Sequence, residues 1–157
     1  IKKLDLQPLP QEGGFYRETY RSAETIAGRA LSARYGAAKP FCTAIYYLLT
    51  SGTISPLHRL KSDEVYHFYL GDPVEVLLLG KKARTVILGT KLSKGERPQL
   101  VVPKGVWQGL RLKKGGRFAL LGTTVAPGFD YSDYEAADGR ALVSKYPEFK
   151  NLVEALL

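Results

Sequence analysis

The stretch Ser55-Pro56-Leu57-His58-Arg59-Leu60-Lys61-Ser62-Asp63-Glu64-Val65-Tyr66-His67-Phe68-Tyr69-Leu70-Gly71 holds both histidines of the chain. Five residues separate His58 from Glu64, and six separate Glu64 from Gly71. Glu64 to Leu70 reads as a strand, bounded by Gly71-Asp72-Pro73. A carboxylate on the inward face of such a strand needs a partner or a ligand. His67, three residues after Glu64, falls on the opposite face of a regular strand.

Outward from this stretch, short strands recur at intervals of about ten residues, punctuated by Gly and Pro. They include Phe15 to Arg21, Phe41 to Thr50, Val74 to Leu79, Arg84 to Leu88, Leu100 to Val102, Trp107 to Leu112 and Arg117 to Val125. That spacing predicts an all-β sandwich or barrel. Residues 1–8 read as a short amphipathic helix or arm, and residues 22–38 as a loop. The end differs. Tyr134 to Ala137 and Gly139 to Val143 look helical. Pro147 to Leu156 reads as a short helix, with Phe149, Leu152, Val153 and Leu156 on one stripe.

With 157 residues, 45% apolar and 24% charged, the chain fits one domain over 1–157. No apolar run is long enough for a membrane span. The single cysteine, Cys42, lies in an apolar strand-like run and is read as a buried core residue. One free thiol favours a reducing compartment, so a cytoplasmic location is expected. The net charge of +8 is dispersed along the sequence. Lys81-Lys82 and Lys113-Lys114 sit beside glycines, as hairpin tips do. The charge is therefore read as solvated turn charge, and nucleic acid is not the expected partner.

The spacing His58-x5-Glu64-x6-Gly71 resembles the first motif of the cupins, with Leu60 where a second histidine stands. Pro103-Lys104-Gly105-Val106-Trp107-Gln108 resembles the second motif, with Gln108 in place of its histidine. A wider set of segments is similar to the Cupin_5 family: Gln11-Glu12-Gly13-Gly14-Phe15-Tyr16-Arg17-Glu18-Thr19-Tyr20-Arg21-Ser22, Thr43 to Leu49, Gly71-Asp72-Pro73 and Val125-Ala126-Pro127-Gly128-Phe129-Asp130-Tyr131. Two departures stand out: Leu9-Pro10-Gln11 replaces a His-Pro, and Tyr66 replaces a Trp. The resemblance implies a mostly β, double-stranded β-helix jelly roll (a cupin barrel) with a short C-terminal α-helix. It also implies a homodimer and a pocket inside the barrel.

A mononuclear cupin metal takes about three imidazoles and a carboxylate. Here only His58, Glu64 and Gln108 stand at motif positions, and no metal or other cofactor is expected. The leading expectation is a small molecule bound in the barrel by Tyr46, Tyr66, Phe68, Trp107, Gln108 and Arg17. The alternative is a metal-independent isomerase or epimerase acting on a sugar-nucleotide-like or other small polar substrate. His58 is then the general base, Glu64 its carboxyl neighbour, and Tyr46, Tyr66 or Tyr131 the proton donor. Tyr16, Phe129 and Tyr131 are placed at the barrel mouth or a dimer contact.

Overall fold

The computed structural model describes residues 1–157. Two antiparallel sheets face each other. The larger has the spatial order β1 (Gln7–Pro8), β2 (Phe15–Arg21), β5 (Thr43–Thr50), β12 (Phe118–Ala126), β7 (Asp63–Gly71) and β10 (Gln99–Val102). The smaller runs β13 (Tyr134–Ala136), β6 (Ile54–Leu60), β11 (Trp107–Leu112), β8 (Val74–Leu79) and β9 (Arg84–Leu88). A two-stranded ribbon, β3 (Thr25–Ile26) with β4 (Lys39–Pro40), straps one side. Consecutive strands repeatedly cross between the sheets, as in a jelly roll.

Alternation decides what faces inward. On β7, Glu64, Tyr66 and Phe68 are buried, while Val65, His67 and Tyr69 face outward. On β5, Thr43, Tyr47 and Leu49 line the interior. Strand β8 does not alternate, because both its faces are covered. Val74, Val76 and Leu78 enter the core between the sheets. Leu77 and Leu79 instead pack under the C-terminal helices α1 (Gly139–Lys145) and α2 (Lys150–Glu154), with Leu142, Val153 and Leu156.

Several expectations are corrected. Tyr134–Ala136 is a strand, not a helix: it pairs with Leu60, Arg59 and His58 at the edge of the smaller sheet. Three residues are too few to display a period. Residues 22–38 are not all loop, since Thr25–Ile26 forms half of the ribbon. The N-terminal arm holds a 3₁₀ turn, Lys2–Leu4, and the short β1. Cys42 lies just before β5 and is half-buried, so it is not a core residue. Lys81-Lys82 do cap the β8–β9 hairpin. Lys113-Lys114 instead mark the crossing from β11 in one sheet to β12 in the other. No helix is long and apolar enough to cross a membrane.

Candidate functional site

The loop before β2 is shaped by its glycines. Gln11, Gly13 and Gly14 all have positive φ, at 65°, 66° and 68°. A Cβ at Gly14 would stand 2.7 Å from the Leu48 carbonyl oxygen, and one at Gly13 would collide with that of Ile54. Only glycine lets the backbone approach this closely with φ positive. The Tyr47 hydroxyl donates to the Glu12 carbonyl at 3.2 Å, and Tyr134 donates to the Gln11 carbonyl at 3.3 Å. The loop is thereby fixed with the Glu12 carboxyl in the barrel.

There Glu12 meets Glu64 across a cavity of about 260 Å³, roughly nine waters at liquid density. Leu9, Ile45, Leu60 and Val125 supply apolar wall; Tyr16, Phe129 and Tyr131 supply aromatic wall. At the rim Arg21 is occupied by Glu18, at 2.7 and 3.0 Å, and by the Phe129 carbonyl. Burial, and then the negative charge of Glu64, push the Glu12 carboxyl up to about 8. Burial also raises Glu64, opposed by the Gln108 amide and the Thr123 and Tyr66 hydroxyls.

Behind Glu64 a buried hydrogen-bonded chain runs into the smaller sheet. The Gln108 amide donates to Glu64 Oε2 at 2.7 Å and approaches His58 Nε2 at 3.3 Å. His58 Nδ1 lies 2.8 Å from the Pro56 carbonyl, so it carries the ring proton and donates it there. Burial lowers His58 to about 4, against the pull of Pro56. The ring stacks on Tyr134 at 5.2 Å. His58 is thus a neutral imidazole with both nitrogens engaged, and it does not border the cavity.

These donors do not fit a cupin metal. Leu60 offers no lone pair. The Gln108 amide turns protons, not its oxygen, toward Glu64. His67 faces outward beside Gln99 and Thr124. No three His, Cys, Asp or Glu side chains gather in a metal-binding group.

Of the residues expected to form the site, His58, Glu64, Gln108 and Tyr66 converge, although only Glu64 borders the cavity. Phe68 is core packing on the same strand face. Tyr46 and Arg17 lie on the outer face of the larger sheet, with the guanidinium 5.5 Å from the ring centre. Trp107 packs toward the C-terminal helices beneath Arg59, at 4.4 Å. Glu12 is the residue missing from the sequence expectation. Its signal is an acid placed directly before two glycines, which reads as a turn until the barrel closes over it.

The two carboxyls and His58 predict a pH profile. Between pH 4.5 and 8 the folded chain keeps the Glu12 proton that the unfolded chain releases, so stability falls as pH rises. His58 acts oppositely from pH 4 to 6.5, where the unfolded imidazole binds a proton that the folded one refuses. Above pH 6.5 the His58 contribution is spent and the fall from Glu12 remains; Glu64, also raised by burial, acts in the same sense as Glu12 from pH 4.5 upward. At roughly 1.4 kcal/mol per pH unit, stability is expected to drop by about 2 kcal/mol between pH 6.5 and 8. Urea unfolding across that range checks this. Glu12→Gln should flatten most of the slope, and an unchanged slope would reassign the proton.

A jelly roll whose strands β6, β7 and β11 bring His58, Glu64 and Gln108 to one spot defines a cupin, here with an amide bridge where a metal is usually held. The chain belongs to the Cupin_5 family: the profile described as "Cupin superfamily (DUF985)" matches residues 1–137. It is similar to a Shewanella oneidensis protein solved by X-ray crystallography, at 36% identity and TM-score 0.85, covering 99% of this chain and 93% of that one. It is also similar to a hypothetical protein from Leishmania major, at 31% identity and TM-score 0.87, covering 99% and 95%. Oxalate decarboxylase from Bacillus subtilis shares the fold at 17% identity and TM-score 0.54, covering 98% of this chain and 37% of that one. No curated protein matches.

Proposed function

We propose that the chain binds a small polar molecule in the barrel cavity without a metal, and that Glu12, backed by Glu64, gives and takes a proton on it. The observation that carries this reading is the pair Glu12 and Glu64 facing one barrel cavity; burial and the Glu64 charge push the Glu12 carboxyl up to about 8, close to the pH at which a general acid–base is most effective. The proton-transfer reading therefore moves from His58, whose nitrogens are engaged, to Glu12. Four acids and one arginine border the cavity, which disfavours an anionic sugar nucleotide and favours a neutral or cationic ligand. A homodimer has support in the outer face of the larger sheet, where Tyr20, Tyr69 and Val101 are each about half exposed.

Native mass spectrometry of the protein as purified, with Glu12→Gln and the cavity-filling Leu60→Trp beside it, tests the proposal. The expected result is an organic adduct on the parent chain, weakened at least tenfold by Glu12→Gln and absent in Leu60→Trp. An adduct indifferent to both substitutions lies elsewhere and refutes the cavity reading. A stoichiometric divalent metal refutes the metal-free one.

A further inference from the structure

Three neighbouring hollows share lining residues around the turn Pro103–Val106, on the outside of the smaller sheet. The first, about 400 Å³, is bordered by Arg34, Arg59, Lys61 and Lys104. The second, about 410 Å³, shares Arg59 and Gly105 with it and adds Lys81 and Lys145. The third, about 550 Å³, shares Lys81, Lys104 and Gly105 and adds Lys82 and Arg84. Eight cations thus meet two carboxylates, Asp133 and Glu135. Six of the chain's net eight positive charges collect on one face. Asp63, whose carboxylate accepts from the Lys104 backbone, adds a further acid beside the turn.

Neither carboxylate is free to neutralise the rest. Asp133 is buried against Lys39 at 2.7 Å, and Glu135 is held by Arg59 in a two-point pair at 2.7 and 2.8 Å. Lys81, Lys82, Arg84, Lys104 and Lys145 take part in no ion pair. Unpaired like charges at such density repel one another, and a repeating anion relieves that repulsion. The side chains come from sequence positions 34 to 145, which is why the charge reads as scattered until the strands bring it together. Between the first two hollows, Arg59 is fixed over Trp107 and clamped by Glu135. It is a rigid planar cation of the kind on which nucleobases stack. A plane between cationic hollows matches a chain that alternates phosphates with flat bases better than it matches an acidic peptide.

We propose that this face binds single-stranded nucleic acid, its phosphates in the three hollows and a base against Arg59. The site is separate from the barrel cavity and does not depend on the reading given to it.

Fluorescence anisotropy of a labelled 20-residue oligouridylate with the full chain tests this. Binding is expected at 50 mM KCl. If about five phosphates are engaged, affinity should fall about 100-fold by 200 mM. The variant Lys81→Glu/Arg84→Glu/Lys104→Glu, at three exposed and unpaired positions, should lose at least 100-fold. The milder Lys81→Gln/Lys104→Gln should lose about tenfold and guards against misfolding of the first. A control with the same charge change elsewhere, Lys2→Glu/Lys94→Glu/Lys114→Glu, should lose less than fivefold. Absence of binding at 50 mM KCl overturns the proposal. So does an equal loss in the control, or equal competition by polyglutamate or by a duplex of the same length.

Discussion

Lys39→Met is expected to lower stability by about 3–5 kcal/mol, because it strands a buried carboxylate. The Lys39 and Asp133 side chains are 3% and 2% exposed and meet at 2.7 Å. The next cation, Lys61, is 3.9 Å from Asp133. Apart from these two ammonium groups, no donor reaches either Asp133 oxygen. Asp133→Leu should cost a similar amount, since it leaves the ammonium buried instead. The double variant Lys39→Met/Asp133→Leu should recover most of the loss, because an apolar pair of similar volume replaces a pair that was expensive to desolvate. Urea unfolding of the four proteins closes the cycle. A single-variant loss below about 1 kcal/mol would mean that water reaches Asp133 in solution. The pair also matters to the site. It ties the ribbon strand β4 to the turn Tyr131–Asp133, and Asp130 and Tyr131 in that region border the cavity. Loosening it should weaken ligand binding as well as the fold.

The second large effect is expected at Gly13. Gly13→Val should cost about 3 kcal/mol, combining a β-branched residue at φ 66° with a collision against the Ile54 carbonyl. For a domain of this size that corresponds to a fall in Tm of roughly 6–12 °C. Because Gly13 adjoins Glu12, the loop cannot absorb the clash without moving the carboxyl, so cavity binding should fall further than stability alone explains. Gly36→Ala is the matched control. Its φ is 71°, but nothing lies within 4 Å of the added carbon, so only the conformational penalty of about 1 kcal/mol remains. Equal losses at the two positions would show that close approach to Ile54 does not hold the loop.

The barrel was legible because its signals are local. Turn residues punctuate strands, and alternation on β5 and β7 declares which side is inward. Where a signal is short or doubled, the reading fails. Tyr134–Ala136 is too brief to show a period, and the apolar run of β8 hides its two buried faces. The floor of the site was half legible: His58, Glu64 and Gln108 are linked by motif spacing, and the structure joins them by hydrogen bonds. That His58 is turned away from the cavity follows from the Pro56 carbonyl and from Gln108, contacts that no spacing encodes. Tyr46 and Arg17 fell on the wrong side of the sheet because an aromatic residue in a strand looks the same facing in or out. Glu12 and the basic face depend on closure, since each is assembled from residues distant in the chain.

The amide bridge has a consequence for supply. Gln108 directs one proton to Glu64 and the other to His58 where a divalent ion would give charge, and it is covalently part of the strand. It cannot be chelated, exchanged for a competing ion or lost when a nutrient runs short. The bridge itself is complete as soon as the two sheets close on each other.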